Sequence, residues 1–132
     1  MKPFSIQDAV KEIEPRTLSE REAGWIRDIL QVNRNWGNAD ITKTKVVAEG
    51  PNAEGYSVVL QSDSPENPLS KSSSEMVGQL WIQTDDQSTI NVQLSQFKGS
   101  LREIYVLFID RKGRNRTLPK TWNEVSREAV NG

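Results

Sequence analysis

Carboxylates, with tyrosine, are the candidates for acid–base chemistry in this chain, because its 132 residues include no histidine and no cysteine. That composition excludes histidine-based triads, cysteine nucleophiles and Cys/His zinc sites. Glu103 and Asp110 flank the most apolar stretch but lie seven residues apart. At about 3.3 Å per residue in a strand they would be over about 20 Å apart. Two carboxylates that cleave a glycoside need a gap of roughly 5–10 Å, so these two cannot form such a pair. Asp85 and Asp86 could hold Mg²⁺ or Ca²⁺ only if distant oxygens joined them, and adjacent aspartates are more simply a solvated hairpin turn. Gly50 and Gly55 belong to no phosphate-binding loop pattern. No metal and no cofactor is expected. A carboxylate-based enzyme stays open, but the composition leans towards recognition over reaction.

The densest charge feature is the turn Arg111-Lys112-Gly113-Arg114-Asn115-Arg116. Arg111, Lys112, Arg114 and Arg116 are the anion-binding candidates, for phosphate, RNA or an acidic protein face. A soluble hairpin is the plainer reading. Nucleic acid is disfavoured because only Trp122 lies nearby as a stacking platform and the whole chain has net charge −1. The charge is uneven: from Lys98 onward there are eight Lys/Arg against four Asp/Glu, and before it nine against fourteen. Such asymmetry can steer a charged partner.

Four tryptophans offer interface anchors. Trp25 and Trp81 sit in core-like patterns, whereas Trp36 and Trp122 lie in less regular segments and are the partner-binding candidates. Asn91 and Gln93, with Ser95, Gln79 and Gln83, make a neutral hydrogen-bonding face that either meets solvent or pairs with a partner.

The elements that must position these residues follow from periodicity. Ile6, Ala9, Val10 and Ile13 have helical spacing over Ser5–Ile13, stopped by Pro15. Ser19 and Glu22 form a capping box, and Trp25, Ile26, Ile29 and Leu30 follow on one stripe, predicting a helix from about Glu20 to Val32. Ile41–Glu49 is β-rich, Gly50–Gly55 is a turn cluster, and Tyr56, Val58 and Leu60 alternate. Val77–Thr84 and Thr89–Leu94 read as strands joined by Asp85–Ser88, with Ile90, Val92 and Leu94 facing inward. Leu101–Asp110 is apolar on both faces, the mark of a central strand covered on both sides. Thr121 and Glu124 again have capping-box spacing, so the C-terminal segment is a short helix or an extended tail.

The expected architecture is therefore a single α+β domain over 1–132: N-terminal helices on an antiparallel sheet of about five strands, flat or curved into a cone. Residues 1–16 are expected to be loosely attached and 62–75, with six serines and two prolines, to be a mobile loop. The helix opened by Leu18-Ser19-Glu20-Arg21-Glu22, followed by Ile90-Asn91-Val92 and Leu101-Arg102-Glu103-Ile104-Tyr105, resembles small bacterial domains with a helix before an antiparallel meander. Some of these look like immunity proteins that neutralise a toxin. The resemblance covers roughly residues 17–110, is architectural, and implies a protein partner without assigning a residue to it.

No apolar run reaches the roughly 18 residues of a membrane span, and the N-terminus has no signal-peptide core. Cytoplasmic residence, a protein partner, no membrane contact and a homodimer built on the two-faced strand are the resulting expectations. The alternatives are a small-ligand or carboxylate-based enzyme pocket and a weak nucleic-acid binder acting through 111–116.

Overall fold

A computed structural model describes residues 10–33, 41–61, 75–97 and 100–131 of the chain. The strands are β1 (Lys11–Thr17), β2 (Lys45–Asn52), β3 (Gly55–Gln61), β4 (Glu75–Thr84), β5 (Thr89–Phe97), β6 (Ser100–Ile109), β7 (Asn115–Arg116) and β8 (Glu124–Asn131). One helix, α1 (Glu20–Val32), lies between β1 and β2. All eight strands join one antiparallel sheet in the order β1-β2-β3-β6-β5-β4-β8, with β7 paired to β6. The expected α+β domain of about five strands under N-terminal helices is thus corrected to a mostly β chain with one helix among the described residues.

The helix forms where its cap predicts. The Ser19 hydroxyl accepts from the Glu22 amide at 3.1 Å, and the Glu22 carboxylate accepts from the Ser19 amide at 2.9 Å. Both otherwise unpaired donors are satisfied at once. Trp25, Ile26, Ile29 and Leu30 are then buried together against the sheet. They meet Leu80 and Ile82 of β4 and Ile90, Val92 and Leu94 of β5 in one core cluster that continues to Val58, Ile104 and Val106.

The C-terminal segment and the end of the expected N-terminal helix are strands, for one shared reason: each completes a sheet edge; residues 5–9 of that helix lie outside the described residues. Residues 11–13 of the expected Ser5–Ile13 helix belong to β1, paired to β2. Ile13 still packs on the core from an extended backbone. Pro15 falls within a register shift between Glu12 and Arg16, and an edge strand tolerates its missing donor. At the other end, Glu124–Asn131 is neither helix nor free tail but β8, paired along β4. The Glu124 carboxylate binds Arg127 at 2.7 and 2.9 Å instead of returning to cap Thr121. Pairing along β4 outweighs a local capping pattern when β-branched residues interrupt the stripe. Of the stretch 62–75 only Glu75 is described, as the first residue of β4.

β6 holds the middle of the strand order, as its two apolar faces predict. Ile104 and Val106 face the helix and are buried; Tyr105, Leu107 and Ile109 lie half-buried on the opposite face. No helix among the described residues is long and apolar enough to cross a membrane.

Candidate binding groove and sheet edge

β6 changes partners along its length. Tyr56 of β3 pairs with Val106, and Arg116 of β7 pairs with Phe108 on the same flank of the strand. Between these two partners the sheet opens into a groove of about 850 Å³. Tyr56, Val106, Phe108 and Leu118 supply apolar walls, and Arg114 and Arg116 line it from the basic turn. Directly paired residues share a sheet face, so Tyr56, Val106, Phe108 and Arg116 all lie on the helix side.

The turn that carries the arginines is built on Asp110. One oxygen of its carboxylate accepts the backbone amides of Lys112 and Arg114 at 2.9 and 3.0 Å. The other accepts the Nε–H of Arg114 and of Arg116, each at 3.1 Å. The Arg114 backbone bond leads in holding this carboxylate far below the usual range, with the Arg116 side chain and the Arg114 charge adding to it. Across the mouth, Asn115 donates to Glu54 at 2.8 Å, tying β7 to the tip of the β2–β3 hairpin. Below it Gly55 is tightly enclosed: a Cβ there would sit 2.5 Å from the Val106 carbonyl oxygen and 2.8 Å from the Tyr105 ring. The Tyr105 hydroxyl donates to the Asn52 carbonyl at 2.9 Å. Of the four anion-binding candidates, Arg114 and Arg116 thus line one groove, whereas Arg111 and Lys112 are exposed and do not.

The partner-binding candidates scatter. Trp36 lies outside the described residues. Trp122 is half-buried beneath Arg21, whose guanidinium stands 4.1 Å from the ring centroid, and it packs on the core. Asn91 is 2% exposed. Its amide donates to the Gln79 side chain at 3.1 Å and to the Leu80 carbonyl at 3.4 Å, and it accepts from Gln93 at 2.8 Å. The neutral face foreseen around Asn91 and Gln93 is therefore a ladder of amides bonded to each other across β4 and β5. Trp81, read from sequence as a core residue, instead stands 38% exposed on that face.

Sequence reasoning missed a charged junction. The Arg16 guanidinium grips both oxygens of Glu22 at 2.9 Å and reaches Glu49 at 3.0 Å. These residues come from β1, α1 and β2, so no local spacing announces them. Burial would push the Glu22 carboxyl up, but the bonds from Arg16 and Ser19 outweigh it and hold it below its ordinary value. The neighbouring Tyr56 phenol is pushed up by burial and by the Glu49 charge, so it stays protonated. This is a saturated ion cluster and not a poised acid–base pair. The adjacent acids are likewise occupied. Asp86 bonds the Thr84 hydroxyl and the Ser88 amide, and Asp85 accepts from Asn123 at 3.0 Å.

The sheet's two outer strands differ. β1 carries Pro15 and an interrupted register. β8 is eight residues long, has no proline, and pairs on one side only among the described residues. At the register shift opposite Gln83 and Thr84, Val125 is left without a cross-strand partner and is 67% exposed. No protein-family model matches this chain, and no curated protein or solved structure matches it either.

Proposed function

We propose that this chain is a non-enzymatic binding protein that docks another protein along the outer edge of β8. The proline-free edge, unpaired among the described residues, with the exposed Val125 carries the reading. A strand edge offers a row of backbone donors and acceptors that an extended segment of a partner can extend. The amide ladder around Asn91 supports the edge over the polar face, because its groups are already bonded to each other. Asp85, Asp86, Asp110, Glu22 and Glu49 are tied into turns and ion clusters, which favours recognition over catalysis.

A different protein fits this edge better than a second copy. In the two symmetric registers centred on the strand's middle, Arg127 would face Arg127 or Glu128 would face Glu128. Like charges directly opposite destabilise a strand pair. The likeness to immunity proteins rests on the sequence pattern of residues 17–110 alone. An immunity-type role, neutralising a toxin in the cytoplasm, is the form of docking this reading favours. Affinity capture from the native organism, followed by mass spectrometry, tests it. A reproducible protein partner that is lost with Val125→Asp supports it; recovery of none, or capture unchanged by Val125→Asp, defeats it. Light scattering checks the contrast with a homodimer, the expected species being a monomer.

A further inference from the structure

We propose that the groove between β3 and β7 binds an amphipathic organic monoanion, an aryl or alkyl carboxylate or sulfonate. Its charged head would sit on Arg114 and Arg116, and its apolar body against Tyr56, Val106, Phe108 and Leu118. The groove's volume of about 850 Å³ falls within the roughly 300–1,000 Å³ of small-molecule sites.

The arginines are prepared for such a head. Each spends its Nε–H on Asp110, and a guanidinium has further N–H donors in a planar fork. Among the described residues the terminal amino groups of both arginines have no hydrogen-bond partner, and Asp110 is the one carboxylate paired with either. Because Asp110 fixes both side chains, a ligand meets donors whose ordering cost is already met in the free protein.

The charge count selects the class. Arg114 and Arg116 stand against two carboxylates, Asp110, which fixes them, and Glu54, which also lines the groove, so the wall has no net charge. The bond Glu54 accepts from Asn115 comes from a neutral amide and does not offset its carboxylate. One negative group can be met by the two arginine forks, whereas the several charges of a nucleotide polyphosphate would stand against a wall with no net charge to offset them. The other walls are carbon-rich, and the Tyr56 phenol stays neutral, so the rest of the ligand is apolar. This site lies on β6 and β7, away from the β8 edge, and stands independently of the docking reading.

The test uses the full chain and the fluorescent aryl sulfonate 8-anilinonaphthalene-1-sulfonate, with 2-naphthoate as a competing carboxylate. Saturable single-site emission, displaced by naphthoate, is expected. The double change Arg114→Gln and Arg116→Gln should raise the Kd by about tenfold or more, since charge-assisted bonds are lost. Lys112→Gln, beside the groove but not in it, should leave the Kd within about twofold, as expected of an exposed and screened charge. Should the double variant fail to fold by circular dichroism, Leu118→Glu decides, because it places a carboxylate among the apolar walls and should abolish binding. Absence of saturable emission from the unaltered protein, or binding undiminished in a folded variant, overturns the proposal.

Discussion

Arg16 on the outermost strand and Glu22 in the first turn of the helix are joined by two parallel hydrogen bonds of 2.9 Å. The same carboxylate caps the helix through the Ser19 amide. One side chain therefore starts the helix and fastens the edge of the sheet to it. Glu22→Ala removes both functions and leaves Arg16 with Glu49 alone. We expect a loss of about 3 kcal/mol, a cap and a largely buried ion pair together. Glu22→Gln, which keeps an oxygen for the cap, should cost less. Urea denaturation followed by tryptophan fluorescence measures both.

Stability should fall in acid, and Glu22 should account for part of it. Its carboxyl titrates below the ordinary 4.5 in the folded chain. A lowered folded value means that the stabilisation is complete above the unfolded value and drains away as pH falls through the folded one. The loss should begin near 4.5 and continue downward. Asp110, also lowered from its ordinary 3.8, adds in the same direction at still lower pH. Denaturation midpoints measured from neutral pH into acid should converge for the unaltered chain and Glu22→Gln. Parallel curves would show that Glu22 is not linked to folding.

Asn91 and Gln93 were both candidates for a partner's surface, but their burial separates them. Asn91→Ala should cost about 2 kcal/mol, because neighbouring amides lose bonds on a nearly closed face. Gln93→Ala, on a half-buried side chain, should cost less than about 1 kcal/mol. Thermal melts of the two variants distinguish the roles; equal costs would contradict the asymmetry.

Gly55 tests the packing at the floor of the groove. An added methyl group meets the Val106 carbonyl and the Tyr105 ring. The backbone oxygen cannot swing away as a side chain can, so Gly55→Ala should destabilise by about 2 kcal/mol, in the range of overpacked cores. It should also weaken the probe binding that reports on the groove.

What the chain discloses about its fold depends on how far apart the cooperating residues are. Ser19 and Glu22 are three apart, so the helix is legible at both ends. Ile90, Val92 and Leu94 alternate within one strand, and the two apolar faces of Leu101–Asp110 identify its central place. β1 and β8 are illegible by the same logic. Their partners, β2 and β4, lie far along the chain, and short helical spacings in Ile6–Ile13 and Thr121–Ala129 mislead. The basic turn was visible as charge, and so two walls of the groove were found. Tyr56 and Phe108 were not, because they meet only where β6 exchanges β3 for β7. The Arg16–Glu49 contact spans thirty-three positions, and no periodicity reaches that far.

The helix is fastened to both margins of the sheet, at Glu22 by Arg16 and at Asp28 by Arg127. The second fastening joins residues ninety-nine positions apart. During synthesis, then, the helix and β4 exist well before the strand that completes them. Throughout that interval β4 keeps an unpaired margin beside Leu80 and Ile82, where a neighbouring nascent chain could add in place of β8. Long-range pairing of this kind closes slowly and leaves such margins open to misassembly. The later β8 arrives, the longer the margin of β4 beside the core stays unpaired.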